Sequence, residues 1–557
     1  MKAAGPGKIK TDTNEGAIQV KRLQIDTGDW HFVNGTWSSD EAGVIEPPPP
    51  LTGDEGMTMQ NLHFAFERSL CTQDCTARFE INLMGHSDVG IILRAPDQSH
   101  FYMLHFPNCG QACRAQHFWV ALSKMDDGGY LKMIKLEMVR RVPSNVNIWL
   151  PCEVRVTGNR FAVQIGDYGR FEATDDTYGG AGHVGLFGCG VGRIRNVEIE
   201  ANEAPAIWDD KPRQAKNWWH PVPCSPVVWQ QPIDLKRFDG GELLLLMNIP
   251  ISLSQGEDAR AVPHLTRSTD DGKTWSEPEA FTPAGTLSAW GGARMNLTPG
   301  GRLLIYTPER EGKSVYESTD RGRTWGEPVR SNLHLGPPME TPGQQLSPQG
   351  FLNLKDGGIL AFMLATAQDM PKGKNIWTWG SNHCEGFCSR SDDDGLTWSD
   401  PVHVDNPGND NDGNPIPGNL DLTEPCAVEL GNGRIMAFVR PIYSPWMWES
   451  WSDDGGRTWG PCVRGAFPGY ASPNMVRTAS GRLVLASRLP ALTVNCSPDD
   501  GQTWDEGTLI DGAHWAMGSM CEVAPDVVLY CYWDDLSTLM RMQRFRVEPD
   551  GLQPVEP

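Results

Sequence analysis

Five times between Ser268 and Trp504 the chain repeats one eight-residue turn, Ser-x-Asp-x-Gly-x-Thr-Trp, and this repetition constrains the fold more than any other feature. The copies run Ser268–Trp275, Ser318–Trp325, Ser391–Trp398, Ser452–Trp459 and Ser497–Trp504. Their chemistry is that of a tight hairpin. The Asp side chain accepts backbone N–H bonds, the Gly supplies a left-handed position, and the Trp packs into the sheet below. A second signal precedes each copy, a Gly turn followed by an apolar strand: Asp239–Leu246, Gly300–Ile305, Asp356–Phe362, Gly433–Phe438 and Gly481–Leu485. A sixth, weaker instance, Pro525–Tyr530, has no turn motif after it. Six units of about four strands each predict an all-β chain with a six-bladed β-propeller, which leaves no long exposed sheet edge. Uneven spacing of the motifs predicts insertions in blades 1, 3 and 4, on the loops that usually carry function.

The motifs and their order resemble the Asp-boxes (BNR repeats) of the sialidase, or neuraminidase, superfamily, and the resemblance spans about Ser225 to Glu548. It implies that the boxes lie on the rim away from the active site, so that Asp270, Asp320, Asp393, Asp454 and Asp499 or Asp500 are structural. Residues 17–201 read differently, as short alternating strands such as Ala77–Leu83, Val89–Arg94, Phe101–Phe106, Cys152–Val156 and Phe161–Ile165. The closing pattern Gly182–Phe187 and Arg193–Ile199 resembles a concanavalin/laminin-G-like β-sandwich jelly roll, a kind of domain that accompanies carbohydrate-active enzymes and either binds glycan or serves only as structure. The expected organisation is therefore a jelly roll over 1–203, a Pro- and Trp-rich linker over 204–224 and a catalytic propeller over 225–557.

The formal net charge of −22 argues against nucleic acid and anionic membranes as partners, and any anionic ligand would need a local cationic pocket. No apolar run approaches a membrane span. Met1–Thr13 has lysines but no apolar core of a signal peptide, so the sequence as written reads as cytoplasmic, or as secreted or periplasmic if a leader has been removed. The 14 cysteines are too dispersed for a disulfide scaffold and are expected as buried thiols or loop disulfides. The ladder His105, Cys109, Cys113, His117 lacks a common zinc spacing, and Asp410–Asn414 is only part of a calcium loop, so neither metal nor cofactor is expected. Nothing in the sequence fixes the oligomeric state.

In a propeller the innermost strands converge on the axis and their leading residues line a pocket. Counting back from each Gly turn places Gln230, Gln231, Arg294, Gln349, Glu424, Asn474 and Met517–Ser519 on that ring, a polar set with one carboxylate. The family resemblance implies three arginines on a substrate carboxylate, a Tyr nucleophile activated by a Glu, and an Asp acid/base. Glu424, in Thr423–Leu430, matches the Glu; Arg440, in Ala437–Pro441, matches one arginine; Asp258, beside Glu257 on the blade 1 insertion, is nearest to the Asp. The rest departs. The tripeptide that carries the first arginine reads Gln230, Gln231, Pro232; Met517–Ser519 stands where the Tyr belongs; Arg488 is the nearest counterpart of the third arginine. Losing bidentate arginines removes charge complementarity to a sialic acid carboxylate. His514 and Trp515 read as sugar contacts, since an indole face stacks on a pyranose.

These residues point to an exo-acting glycoside hydrolase removing a terminal sugar, sialic acid or another, from a glycan. Glu424 would act as nucleophile or base, Asp258 as acid, and Arg440 would hold Glu424 ionised or bind sugar, or else pair with it structurally. Two alternatives stand beside this: a non-catalytic glycan-binding propeller and a propeller-type polysaccharide lyase.

Overall fold

A computed structural model describes residues 18–555, apart from 49–61, 84–86, 108–116, 127–129, 141–146, 191, 210–218, 223–232, 252–259, 289–291, 310–311, 334–348, 367–383, 410, 413–421, 442–445, 470–472, 489–491, 512–516, 535–538 and 550. The described chain is all-β, its one helical element a short 3-10 turn at Thr282–Ala284. No helix among the described residues is long and apolar enough to cross a membrane.

From Ile233 onward the sequence alternates short strands and turns, and the antiparallel pairing follows chain order. Ile233–Arg237, Leu243–Pro250, Arg260–Ser268 and Glu279–Ala280 form the first sheet, with Leu287–Ser288 also on the third strand. Arg294–Leu297 to Val329–Ser331, Gly350–Asn353 to Val402–His403 and Leu422–Glu429 to Val463–Pro468 give three more four-stranded sheets. Met517–Ala524, Val527–Asp534, Leu539–Glu548 and Gly551–Val555 make a further sheet, to which Trp219–Pro221 adds a fifth strand. Where the sequence predicts six blades, these five sheets stand alone. The strands Asn474–Arg477, Leu483–Ser487, Leu492–Ser497 and Thr508–Asp511 have the same four-strand order but belong to a larger sheet, because Thr508 and Leu509 pair with Lys132 and Leu131 of the N-terminal region.

The second strand of each unit opens on a run of apolar residues because both of its faces are covered there. In Leu243–Pro250 the side chains of Leu243, Leu245, Met247 and Ile249 enter one core with Leu529, Cys531 and Trp533 of the last sheet. Leu244 and Leu246 point the other way, into a core with Met295, Leu303 and Ile305 of the next sheet. The same sharing recurs between each pair of consecutive units. Burial of a leucine is worth roughly 1.5–3 kcal/mol, so these shared layers carry most of the packing energy of the ring.

The boxes fold as their residues predict. Ser268 Oγ donates to Asp270 Oδ1 (2.8 Å), and Asp270 accepts from the Thr274 amide (2.9 Å) and hydroxyl (2.6 Å). The fifth copy uses Asp499 rather than Asp500. The residue after the box Asp is left-handed too, with φ of 58° at Asp271 and 60° at Asp394. That bend aims the side chain at another strand turn. Asp394 accepts from Thr298 and the Gly300 amide of the preceding unit, and Asp500 from the Gly431 amide. The box is thus both a hairpin and a latch.

The N-terminal region is an antiparallel β domain built on one 20-residue strand, His63–Asn82, which pairs with Trp30–Val33, Trp149–Thr157, Gly182–Gly190 and Arg193–Glu203. Period-two alternation is plain in Trp149–Thr157, where Leu150, Cys152, Val154 and Val156 are buried and enter the domain core. Within the stretch 204–224 read as linker, Trp208 packs on Phe66 and His31, and Trp219–Pro221 is a strand paired with Arg541–Gln543 of the last sheet.

The described cysteines are free thiols, and burial pushes Cys75 up to about 11 and Cys521 up to about 12. Cys109 and Cys113 of the histidine–cysteine ladder lie outside the described residues. His105 of the same ladder is spent on Asp88 (2.7 Å) and Ser123 (2.9 Å). Asp410 and Asn414 are also outside the described residues.

Candidate functional site

The leading strands of all the four-stranded units meet around one cavity of about 150 Å³. Asp234, Lys236, Arg294, Gln349, Glu424, Asn474 and Ser519 supply its polar wall.

Glu424 is placed by an irregularity in its strand. The register between Leu422–Glu429 and Ile435–Pro441 slips between Thr423 and Cys426, a bulge. Pro425 excludes the right-handed helical region for the residue before it, and Glu424 adopts φ 48°, left-handed and unusual for a residue with a side chain. Such a conformation costs on the order of 1–3 kcal/mol and persists where the surroundings enforce it. The result is a carboxylate that is 6% exposed on the cavity wall, accepting a 2.8 Å bond from Arg440 Nη1. Arg440, directly opposite Thr423 on the second strand, is 1% exposed. The Arg440–Glu424 ion pair that the sequence reading allows is present.

Most of the predicted ring is already engaged in tying units together. Arg294 pairs through Nε with Asp234 (3.1 Å) and donates through Nη2 to the Gln349 carbonyl. Asp234 also accepts the Met295 amide (2.8 Å), Asn474 accepts the Met520 amide (2.9 Å), and Ser519 accepts the Leu235 amide (3.1 Å). Arg488 follows the strand Leu483–Ser487 and is 2% exposed, off the described cavity wall. Gln230, Gln231, Asp258, His514 and Trp515 lie outside the described residues.

Two wall residues escaped the sequence reading. Asp234 and Lys236 stand two apart on Ile233–Arg237, alternating with buried Leu235. Counting the ring back to Gln230 and Gln231 stopped short of this strand. The signal was there, as polar residues alternating with apolar ones just before the first Gly turn. Burial pulls the Lys236 ammonium below the usual lysine range, with Asp234 opposing the shift and Arg294 adding to it.

Residues 288–518 match the family described as BNR repeat-like domain. Four of the five boxes fall inside this match. The match begins in the first propeller sheet and runs through the boxes that start at Ser318, Ser391, Ser452 and Ser497. No curated protein sequence matches the chain. Solved structures similar to it include the NanB sialidase from Streptococcus pneumoniae, at 12% identity and TM-score 0.43, covering 90% of this chain and 99% of that one. The Hadza microbial sialidase Hz136 gives 15% and 0.48, over 90% and 99%. A protein of unknown function from Dyadobacter fermentans gives 18% and 0.46, over 61% and 100%. At the boxes and at the axis, the propeller has the organisation expected of its repeats: turns latching one unit to another, polar strand starts meeting around a cavity.

Proposed function

We propose that the chain is an exo-acting glycoside hydrolase whose axial cavity receives the end of a glycan, and that Glu424 is its nucleophile or base. The observation that supports this reading most is the strained bulge at Glu424, which sets one carboxylate on the axis and keeps it beside a buried guanidinium. Arg440 favours the ionised form there, as a base or nucleophile requires. Asp258, on the loop between the second and third strands of the first sheet, is the proposed acid. We count the strands 474–511 as the sixth blade and read the N-terminal β domain as a jelly roll that captures glycan.

A non-catalytic glycan-binding role is favoured by a different observation: Arg294, Asn474 and Ser519 are bonded to neighbouring units, which leaves fewer groups for a transition state. The two readings part on a panel of aryl glycosides that includes a sialoside, a uronide and a neutral sugar. Turnover of at least one, with Asp258→Asn slowing poor leaving groups much more than activated ones, supports the hydrolase. Glycan binding with no turnover of any substrate overturns it, and new ultraviolet absorbance from a uronate polymer identifies a lyase instead.

A further inference from the structure

The fifth box departs from the other four just after its Trp. There the chain reads Ser276, Gly326, Ser399 and Gly460 in the first four copies and Asp505 in the fifth. The hairpin uses little of that residue. Ser276 Oγ accepts the Arg267 amide (3.1 Å) and Ser399 Oγ the Arg390 amide (3.0 Å), and Asp505 Oδ1 does the same for the Cys496 amide (2.9 Å). A hydroxyl, or no side chain at all, serves the other copies, so the carboxylate is more than the turn requires. It is also costly to hold. Half-buried, it is raised by that burial to about 6, although the Cys496 amide and the Lys132 ammonium favour its ionised form.

Asp505 lies on the wall of a cavity of about 500 Å³ at the seam between the N-terminal domain and the strands 474–511. That wall shares no described residue with the axial cavity. The seam is a continuous sheet. Leu131 and Lys132 pair with Leu509 and Thr508, the Met133 amide donates to the Gly507 carbonyl (3.0 Å), and Glu506 accepts from Lys135 (3.2 Å). Gly507, at φ 100°, stands where the first three boxes have Pro278, Pro328 and Pro401, and a side chain there would press on Thr493 and Met133. The fifth box is thus altered twice, once to join the domains and once to put a carboxylate on the cavity between them.

We propose that this seam is a second glycan site, apart from the axis, that takes a neutral oligosaccharide segment with Asp505 and Lys132 as its main polar contacts. The wall carries both signs of charge: Lys124 holds Asp175 at 2.9 Å, and Lys132 faces Asp505. An ion of either sign would meet its own charge there. Hydroxyls use both, accepting from an ammonium and donating to a carboxylate. Met133, Ile134 and Trp504 supply apolar wall for the C–H faces of sugar rings. The volume is that of a small-molecule pocket and admits about two or three sugar residues. The inference rests on the reading of this chain as glycan-directed, and places glycan capture at the joint of the two domains; it does not depend on hydrolysis.

The experiment titrates the full chain with maltotriose, cellotriose, mannotriose and, as a charged control, trigalacturonate, followed by calorimetry and saturation-transfer NMR. Wild type is expected to bind at least one of the neutral trisaccharides saturably. Asp505→Ser keeps the acceptor that the hairpin uses and should weaken that binding about tenfold or more, the loss expected for one charge-assisted hydrogen bond. Lys132→Gln should act in the same direction and serves if the Ser variant does not fold. A neutral sugar that binds wild type and Asp505→Ser equally overturns the seam site, and binding that falls with Glu424→Gln instead places the sugar at the axis. Binding that depends on Asp505 for trigalacturonate alone overturns the ligand class. If no neutral trisaccharide binds while an aryl glycoside is turned over, the seam site fails and the glycan reading stands; if nothing binds and nothing is turned over, both fail.

Discussion

Two of the interior arginine–carboxylate pairs among the described residues have similar chemistry and opposite surroundings. Arg440–Glu424 borders the axial cavity. Arg541–Asp511 is fully buried where the N-terminal domain meets the last two propeller units, with both residues 0% exposed. There Asp511 also accepts from the Tyr532 hydroxyl (2.6 Å). Gln543 donates to Tyr532 (2.6 Å) and to the Ile510 carbonyl (3.0 Å), and accepts from Tyr130 of the other domain (2.8 Å). Backbones differ as well: both residues flank a register slip, but Glu424 adopts a positive φ of 48° and Asp511 does not. A buried ion pair alone therefore does not mark a site. Access to a cavity and a backbone held out of its relaxed state separate a group available for chemistry from one consumed in joining domains.

The largest difference should appear in rate. Glu424→Gln retains an acceptor for Arg440 and removes the basicity, so turnover of whichever aryl glycoside is cleaved should fall about 10²–10⁴-fold. The same amide substitution at Asp511 should leave turnover per folded molecule unchanged, and equal losses in kcat at both positions would erase the contrast. Stability should invert the order. Arg541→Met strands Asp511 without its cation and should cost about 3–5 kcal/mol in urea unfolding, along with easier separation of the N-terminal domain in limited proteolysis.

The boxes test whether a carboxylate at the far rim behaves like either pair. Asp270→Ala should cost about 1–2 kcal/mol and leave turnover alone. Partial burial pushes this carboxyl up, but the bonds from Thr274 and Ser268 outweigh it and hold it down at about 2. Because the folded value lies below the unfolded one of 3.8, its stabilisation is complete above pH 4 and is lost as pH falls through about 2. The wild-type melting temperature should therefore drop more steeply between pH 4 and 2 than that of Asp270→Ala.

The smallest effect concerns a carboxylate with no cation. Among the described residues Glu449 is met only by the Ala466 amide (3.3 Å), and burial raises it to about 7 against that bond. Its folded value exceeds the unfolded 4.5, so its contribution is present below pH 4.5 and fades as pH rises through about 7. Glu449→Gln should flatten that slope and gain about 1 kcal/mol over wild type at pH 8, followed by chemical denaturation. A parallel pH profile in the two proteins would show that Glu449 has a partner equivalent to an arginine.

The repeated parts of the fold were legible because each box closes within eight residues and each second strand opens on an apolar run. Glu424 and Arg440 were legible for a related reason, since Thr423–Pro425 and the strand end at Arg440 are local patterns. What escaped depends on pairs far apart in the chain. Nothing near Asn474 announces the Met520 amide, and nothing near Arg294 announces Asp234, so residues bonded across units read as free ring members. Nor does the sequence around Leu131 and Lys132 reveal that Leu509 and Thr508 complete their sheet.

Trp219–Pro221 has a consequence for how this protein is made. Its partner, Arg541–Gln543, lies in the third strand of the last sheet, so the opening segment of the propeller has no place to pair until nearly the whole polypeptide has left the ribosome. Through that interval the earlier sheets can stack one upon another while the ring stays open, with the face of Leu243–Pro250 that later meets Trp533 turned to solvent. A ribosome stalled, or a message cut, just short of Val527 would release a nearly full-length chain with that apolar face still uncovered, a form suited to recognition by chaperones and proteases.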